Sequence, residues 1–207
     1  MSNPTIKRIL LIDLENCARS LIKYQNAKRC KNEYIDICKN VNNPDIALAF
    51  SHNKKVNSQI IDKLSKANID LNIAYDIDET TNNPAKDAAD NLMIKKGHQL
   101  INDLLLKVDI VEVKVLSSDK ILIQQLTSGY INHAKVYWKI YWQPNQTSCN
   151  LITDLYNMNN LNNKIITNID FIRWSIWEDC YGEFGDGTLL SASILLPPDY
   201  DTFKIKK

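Results

Sequence analysis

The sequence predicts an α/β fold of three layers, with a mainly parallel central sheet between two layers of helices. Three observations predict it. Strand-like and helix-like stretches alternate from residue 7 to about residue 142, the pattern of βαβ units. The first apolar run, Ile9-Leu10-Leu11-Ile12, is unbroken, as in a strand buried on both faces. The 207 residues fit one domain with a modest extension, enough chain to bury a core without disulfides.

Taken in order, residues 7–14 read as the first strand and 16–42 as helical, ending at Asn42-Asn43-Pro44. Ile46 to Phe50 is a second strand. Val56 to Ala67 is a helix with Ile60, Ile61 and Leu64 on one face. Leu71 to Ile77 is a third strand, followed by a polar loop over 78–84. Lys86 to about Lys107 is the clearest helix, with Ala89, Leu92, Met93, Leu100, Ile101, Leu104 and Leu105 at helical spacing. Ile110 to Leu116 is a fourth strand, Lys120 to Ser128 a short helix closed by Gly129, and Ala134 to Trp142 a fifth strand. This divides the chain into a main domain over 1–143 and a C-terminal extension over 144–207. The extension carries short β-prone stretches and packs on the main sheet.

Composition narrows the function. Net charge is +1, so any nucleic-acid binding needs a local basic patch rather than a global field. The five cysteines are scattered, odd in number and without a CxxC pair. That argues against a zinc site or disulfide framework and fits reduced thiols in the cytoplasm. No apolar run approaches the ~20 residues of a membrane helix, so no membrane role is expected.

The chemistry lies in the acids. Three segments far apart in sequence each put carboxylates at a strand end or helix start: Asp13-Leu14-Glu15-Asn16, Lys86-Asp87-Ala88-Ala89-Asp90 and Ser117-Ser118-Asp119-Lys120. Open α/β sheets bind ligands beyond the carboxyl ends of their strands. Carboxylates gathered there repel one another unless a cation joins them, and hard divalent cations take oxygen ligands. Asp13 and Glu15 fall on one side if the strand continues that far. Asn16 can cap the next helix, and Asp87 and Asp90 share a face on a helix's first turn. Each feature also has an ordinary structural explanation: a strand-end acid, an acid favoured by the helix dipole, an N-cap. Their joint occurrence on an alternating α/β pattern is the signal.

These residues resemble the PIN-like nuclease superfamily, in its bacterial branch with motifs close to LIDxEN, GKNALDF and SKDKDFD, and the related NYN domains. The matching segments are Leu11-Ile12-Asp13-Leu14-Glu15-Asn16, Ala85-Lys86-Asp87-Ala88-Ala89-Asp90 and Leu116-Ser117-Ser118-Asp119-Lys120. The resemblance covers about residues 7–142. It implies that Asp13, Glu15, Asp90 and Asp119 are catalytic metal ligands for Mg²⁺ or Mn²⁺. It places Ser117 in support of Asp119 and Lys86 on the side of the substrate phosphate. Beside it, Asp87, Asn16 and Ser118 are auxiliary candidates and Lys120 is a further candidate for phosphate contact. The implied activity is metal-dependent hydrolysis of phosphodiesters, with single-stranded RNA as the expected partner. The sequence departs from the family where Ile121-Leu122-Ile123 follows Lys120, where Asn91 replaces an aromatic, and where Asp87 replaces Asn.

Lys54, Lys55, Lys95 and Lys96 are further candidates for phosphate contact, and the Tyr137-Lys139-Tyr141 face of the fifth strand for base stacking. The histidines His52, His98 and His133 read as surface or strand-end residues. Two other readings compete. One is a degenerate PIN-like module that binds RNA or a protein partner, a second copy of itself included, without cutting. The other is a phosphatase with Asp13 as nucleophile, weakened because the expected second acid is Asp rather than Glu15.

Overall fold

The structure is a computed structural model. It describes residues 3–16, 44–81, 83–117, 119–142 and 168–173. The expected helix over 16–42 and nearly all of the C-terminal extension lie outside the described residues, as does Ser118.

A six-stranded, wholly parallel sheet forms the centre, in the order β3-β2-β1-β6-β7-β8. Its strands are β1 (Ile6–Asp13), β2 (Ile46–His52), β3 (Asp70–Ala74), β6 (Ile110–Leu116), β7 (Val136–Trp142) and β8 (Ile169–Arg173). The short strands β4 (Ile77–Asp78) and β5 (Asn83–Pro84) pair antiparallel as a separate hairpin. The helices among the described residues are α1 (Ser58–Lys66), α2 (Ala88–Leu105) and α3 (Lys120–Thr127). The fold is a three-layer α/β/α arrangement around the parallel sheet. No helix of the described residues is long and apolar enough to cross a membrane.

The strand order carries the main consequence. From β1 the chain builds outward to β2 and β3 on one side, then returns to build β6, β7 and β8 on the other. The carboxyl ends of β1 and β6 therefore flank the point where strand order reverses, which is where sheets of this type open a crevice. Asp13 is the last residue of β1, and Ser117 follows β6 directly.

One sheet face carries Ile9, Leu11, Phe50, Val113, Val115, Trp138 and Ile140, all buried. Helix α2 packs on it through Ala89, Met93, Gly97 and Ile101, a stripe at i, i+4 spacing. Gly97 permits a close approach: a Cβ there would stand 3.0 Å from Leu126 Cδ1 of α3 and 3.2 Å from Leu11 Cδ1 of β1. That seating fixes the first turn of α2, with Asp90, above the strand ends.

The opposite face carries Leu10, Ile12 and Ala49, again buried, together with Lys114, whose side chain is wholly enclosed. Lys114 Nζ and Lys139 Nζ each lie 3.1 Å from a Glu112 oxygen. This corrects the proposed stacking face on β7. Lys139 is committed to Glu112 and Tyr141 is buried, so only Tyr137 of the three is exposed.

Two stretches depart most from the sequence expectation. The third strand ends at Ala74 rather than Ile77, because the Asp76 carbonyl accepts Ala85 N–H at 2.9 Å and faces His52 Nε2 at 2.8 Å. The chain leaves the sheet there. The expected loop over 78–84 is a tight hairpin in which Asp78 Oδ1 accepts N–H bonds from Thr80 and Thr81. β8 lies beyond residue 143 and adds a sixth strand at the sheet edge.

Candidate functional site

A pocket of about 410 Å³ opens at the carboxyl edge of the sheet. Asp13, Glu15, Asn16, Lys86, Asp87, Asp90 and Asp119 all line it. Residues from three segments that together span more than a hundred positions thus meet in one cavity. Ser117 lies buried directly beneath, and Lys120 does not reach the pocket.

Each acid is held by local structure. β1 stops at Asp13, and a helical turn begins at Leu14. Glu15 is therefore on that turn and not a continuation of the strand, and the expected strand-pleat alignment of the two acids does not occur. Asp13 is itself the cap: its Oδ1 accepts the Asn16 N–H at 3.0 Å. Asn16 is thus the residue being capped, the reverse of the sequence expectation. Asp13 Oδ2 accepts from Ser117 Oγ at 2.7 Å. The same Ser117 Oγ accepts the Asp119 N–H at 3.0 Å, and Asp119 Oδ1 caps α3 through the Leu122 N–H at 2.9 Å. Ser117 ties two of the acids together.

Asp87 is also placed differently from expectation. It is the residue before α2, in the left-handed region at φ 59° and ψ 16°, with no side-chain cap bond. It is not on the helical face of Asp90, although both line the pocket. Asp and Asn tolerate this conformation better than most residues.

Electrostatics mark the pocket. Asp13 is buried, and its carboxyl is pushed up to about 7, first by desolvation and then by the nearby charges of Asp90 and Asp119; the Asn16 and Ser117 hydrogen bonds act in the other direction. Asp90 is pushed up to about 6 by burial and by repulsion from Asp119, Asp87 and Glu15, with Lys55 opposing. Five carboxylates face two lysines, Lys55 and Lys86, around one cavity. Among the described residues, no group of three or more His, Cys, Asp or Glu side chains is arranged to hold a metal ion. The side chains are instead spent on neighbours: Asp13 on Asn16 and Ser117, Asp119 on its helix cap, Glu15 on Lys55.

His52 escaped the sequence reading of the site, and Lys55 was expected there only as a phosphate contact. His52 ends β2, is 1% exposed and lines the pocket. Its backbone N–H donates to Glu15 Oε1 at 2.7 Å, its Nδ1 accepts the Lys54 N–H at 3.3 Å, and its Nε2 donates to the Asp76 carbonyl at 2.8 Å. Lys55 closes the 3₁₀ turn that His52 caps, and its Nζ pairs with Glu15 Oε2. The signal was present: Ser51-His52-Asn53 follows an apolar run, so the strand-end rule places it at the same edge as Asp13.

No protein-family model and no curated protein matches the chain. Its fold is similar to the crystal structure of a protein of unknown function, VPA0982, from Vibrio parahaemolyticus. The TM-score is 0.52 at 18% identity, over 74% of this chain and 91% of that one. The likeness concerns the fold alone.

Proposed function

We propose that the chain is a metal-dependent nuclease of PIN-like type that hydrolyses phosphodiester bonds, with single-stranded RNA as its substrate. The observation that carries this reading is the convergence of Asp13, Glu15, Asp90 and Asp119 on one pocket at the sheet's reversal point, with Asp13 repelled by Asp90 and Asp119, and Asp90 by Asp119, Asp87 and Glu15. By donor chemistry the pocket's carboxylates suit a hard divalent cation, although no three of them form a ready ligand set among the described residues. All four are oxygen donors, and Asp13 and Asp90 have carboxyls raised partly by the charges of neighbouring acids, which a bound cation relieves. Asp13, Asp90, Asp119 and Glu15 would hold Mg²⁺ or Mn²⁺. Such an ion, when bound, acidifies water and offsets the charge that develops on a phosphate.

The chain's own residues supply the rest. Ser117 keeps Asp13 and Asp119 at a fixed spacing. His52 anchors Glu15 from the backbone. Lys86 offers a cation to a substrate phosphate at the pocket rim.

One observation favours a second reading, a module that binds nucleic acid or protein without cutting. Asp13 and Asp119 already use oxygens on backbone N–H groups, and no three acids form a closed ligand set among the described residues. Incubation with single-stranded RNA separates the two. The nuclease cuts in Mg²⁺ or Mn²⁺ and stops in EDTA; a protein that binds Mn²⁺ but leaves RNA and DNA intact is the non-cleaving module.

A further inference from the structure

We propose that Lys55 is the pocket's resident counter-ion, and that a divalent cation binds only by displacing its ammonium group from Glu15. The inference rests on the metal-dependent reading above and adds a residue and an order of events to it.

Glu15 has two oxygens with different fates. Oε1 accepts the His52 N–H at 2.7 Å and is held from the backbone side. Oε2 pairs with Lys55 Nζ, and both residues line the cavity. A metal that uses Glu15 therefore meets an oxygen already occupied by a cation. Of the pair, Lys55 is the partner able to move: its side chain is 37% exposed and Glu15's is 14%. Lys55 also lines the same pocket as Asp13, Asp90 and Asp119. Lysine suits this role, since its flexible stem carries a compact charge that exchanges readily between partners.

Displacement gives the ammonium a second use. Once off Glu15, Lys55 stays at the pocket wall as a cation without its acid, positioned to receive an anionic phosphate. Cation first and phosphate second is the order this exchange imposes.

Removing a residue that merely supports the site weakens metal binding, whereas removing a competitor strengthens it. Mn²⁺ titration of the full chain, by calorimetry or by the electron-spin signal of free Mn²⁺, reads the effect directly. Lys55→Met should bind Mn²⁺ on the order of tenfold more tightly than wild type, about 1.4 kcal/mol. Lys55→Arg keeps the charge and should stay within about twofold. Lys54→Met, next door but not lining the pocket, should also stay within about twofold because solvent screens its charge.

Unchanged or weaker binding in Lys55→Met, with wild type binding normally, overturns the counter-ion role and leaves the nuclease reading standing. Equal tightening in Lys54→Met overturns it too, as a bulk charge effect. Binding by Lys55→Met but not by wild type supports displacement in its strongest form. No binding by either removes both readings. Lys55→Gln repeats the measurement if the Met variant does not fold.

Discussion

Ser117 Oγ donates to Asp13 Oδ2 at 2.7 Å, joining the ends of β1 and β6 across 104 residues of sequence. The contact follows from register. Ile12 pairs with Leu116, so the next residue of each strand falls side by side at the sheet's open edge. Because the same hydroxyl accepts the Asp119 N–H, one small side chain sets the spacing of two carboxylates.

Ser117→Ala tests that linkage. It leaves the Asp119 N–H without its acceptor and Asp13 with one hydrogen bond fewer, which should cost about 1–2 kcal/mol of stability by urea unfolding. The Ser117 bond lowers the Asp13 carboxyl, so its loss should raise it further. The acid limb of the cleavage pH profile should move to higher pH. An unmoved limb means that Ser117 only stabilises the fold.

Asp90→Asn should lower cleavage at least ~100-fold while the fold persists. Its effect on stability depends on pH. The Asp90 carboxyl in the fold is raised to about 6 from 3.8, so the native state holds its proton more tightly than the unfolded chain does. The wild type therefore loses stability as pH rises from about 4 to about 6. Asp90 is partly exposed, and solvent screening reduces the effect to about 1 kcal/mol. Metal-free Asp90→Asn should be more stable than wild type by that amount at pH 8, and by nothing near pH 4. Unfolding titrations in EDTA at the two pH values measure it; an unfolded variant would make Asp90 structural.

Gly97→Val probes how the helix seats the site. The added side chain meets Leu126 and Leu11 where a single Cβ is already tight. Overpacking should cost about 1–3 kcal/mol. The shift of α2 should also weaken Mn²⁺ binding, because Asp90 rides on its first turn. Stability loss with unchanged Mn²⁺ affinity would uncouple helix packing from the pocket.

Much of this architecture is legible in the sequence because periodicity reports burial. The unbroken run Ile9–Ile12 announces a strand covered on both faces, and the stripe through Met93 and Ile101 announces α2. The gathering of Asp13, Asp90 and Asp119 at one edge follows from the rule that strand ends face the crevice. What pattern cannot give is local geometry. Whether Asn16 caps or is capped depends on where β1 stops, and one residue reverses the roles. The break after Ala74 comes from the Asp76 carbonyl meeting His52 and Ala85, a non-local contact with no trace in hydropathy. The role of His52 and the pairing of Lys55 with Glu15 escaped for the same reason. Their part in the site comes from contacts to Glu15, 37 and 40 residues away.

Asp87 separates backbone from charge. Its φ of 59° is a conformation that costs most L-residues roughly 1–2 kcal/mol and that Asn tolerates. Asp87→Ala should therefore destabilise the protein by about 1 kcal/mol, and Asp87→Asn should not. Charge tells the two apart in the opposite way. Asp87 is one of the groups that push the Asp90 carboxyl up, and both variants remove that charge. Both should bring Asp90 back toward the ordinary carboxylate range, which a carboxyl ¹³C titration would follow. If Asp87→Asn leaves the Asp90 titration where it was, the two acids are not coupled through the pocket. Asp87 would then serve only to turn the chain into α2.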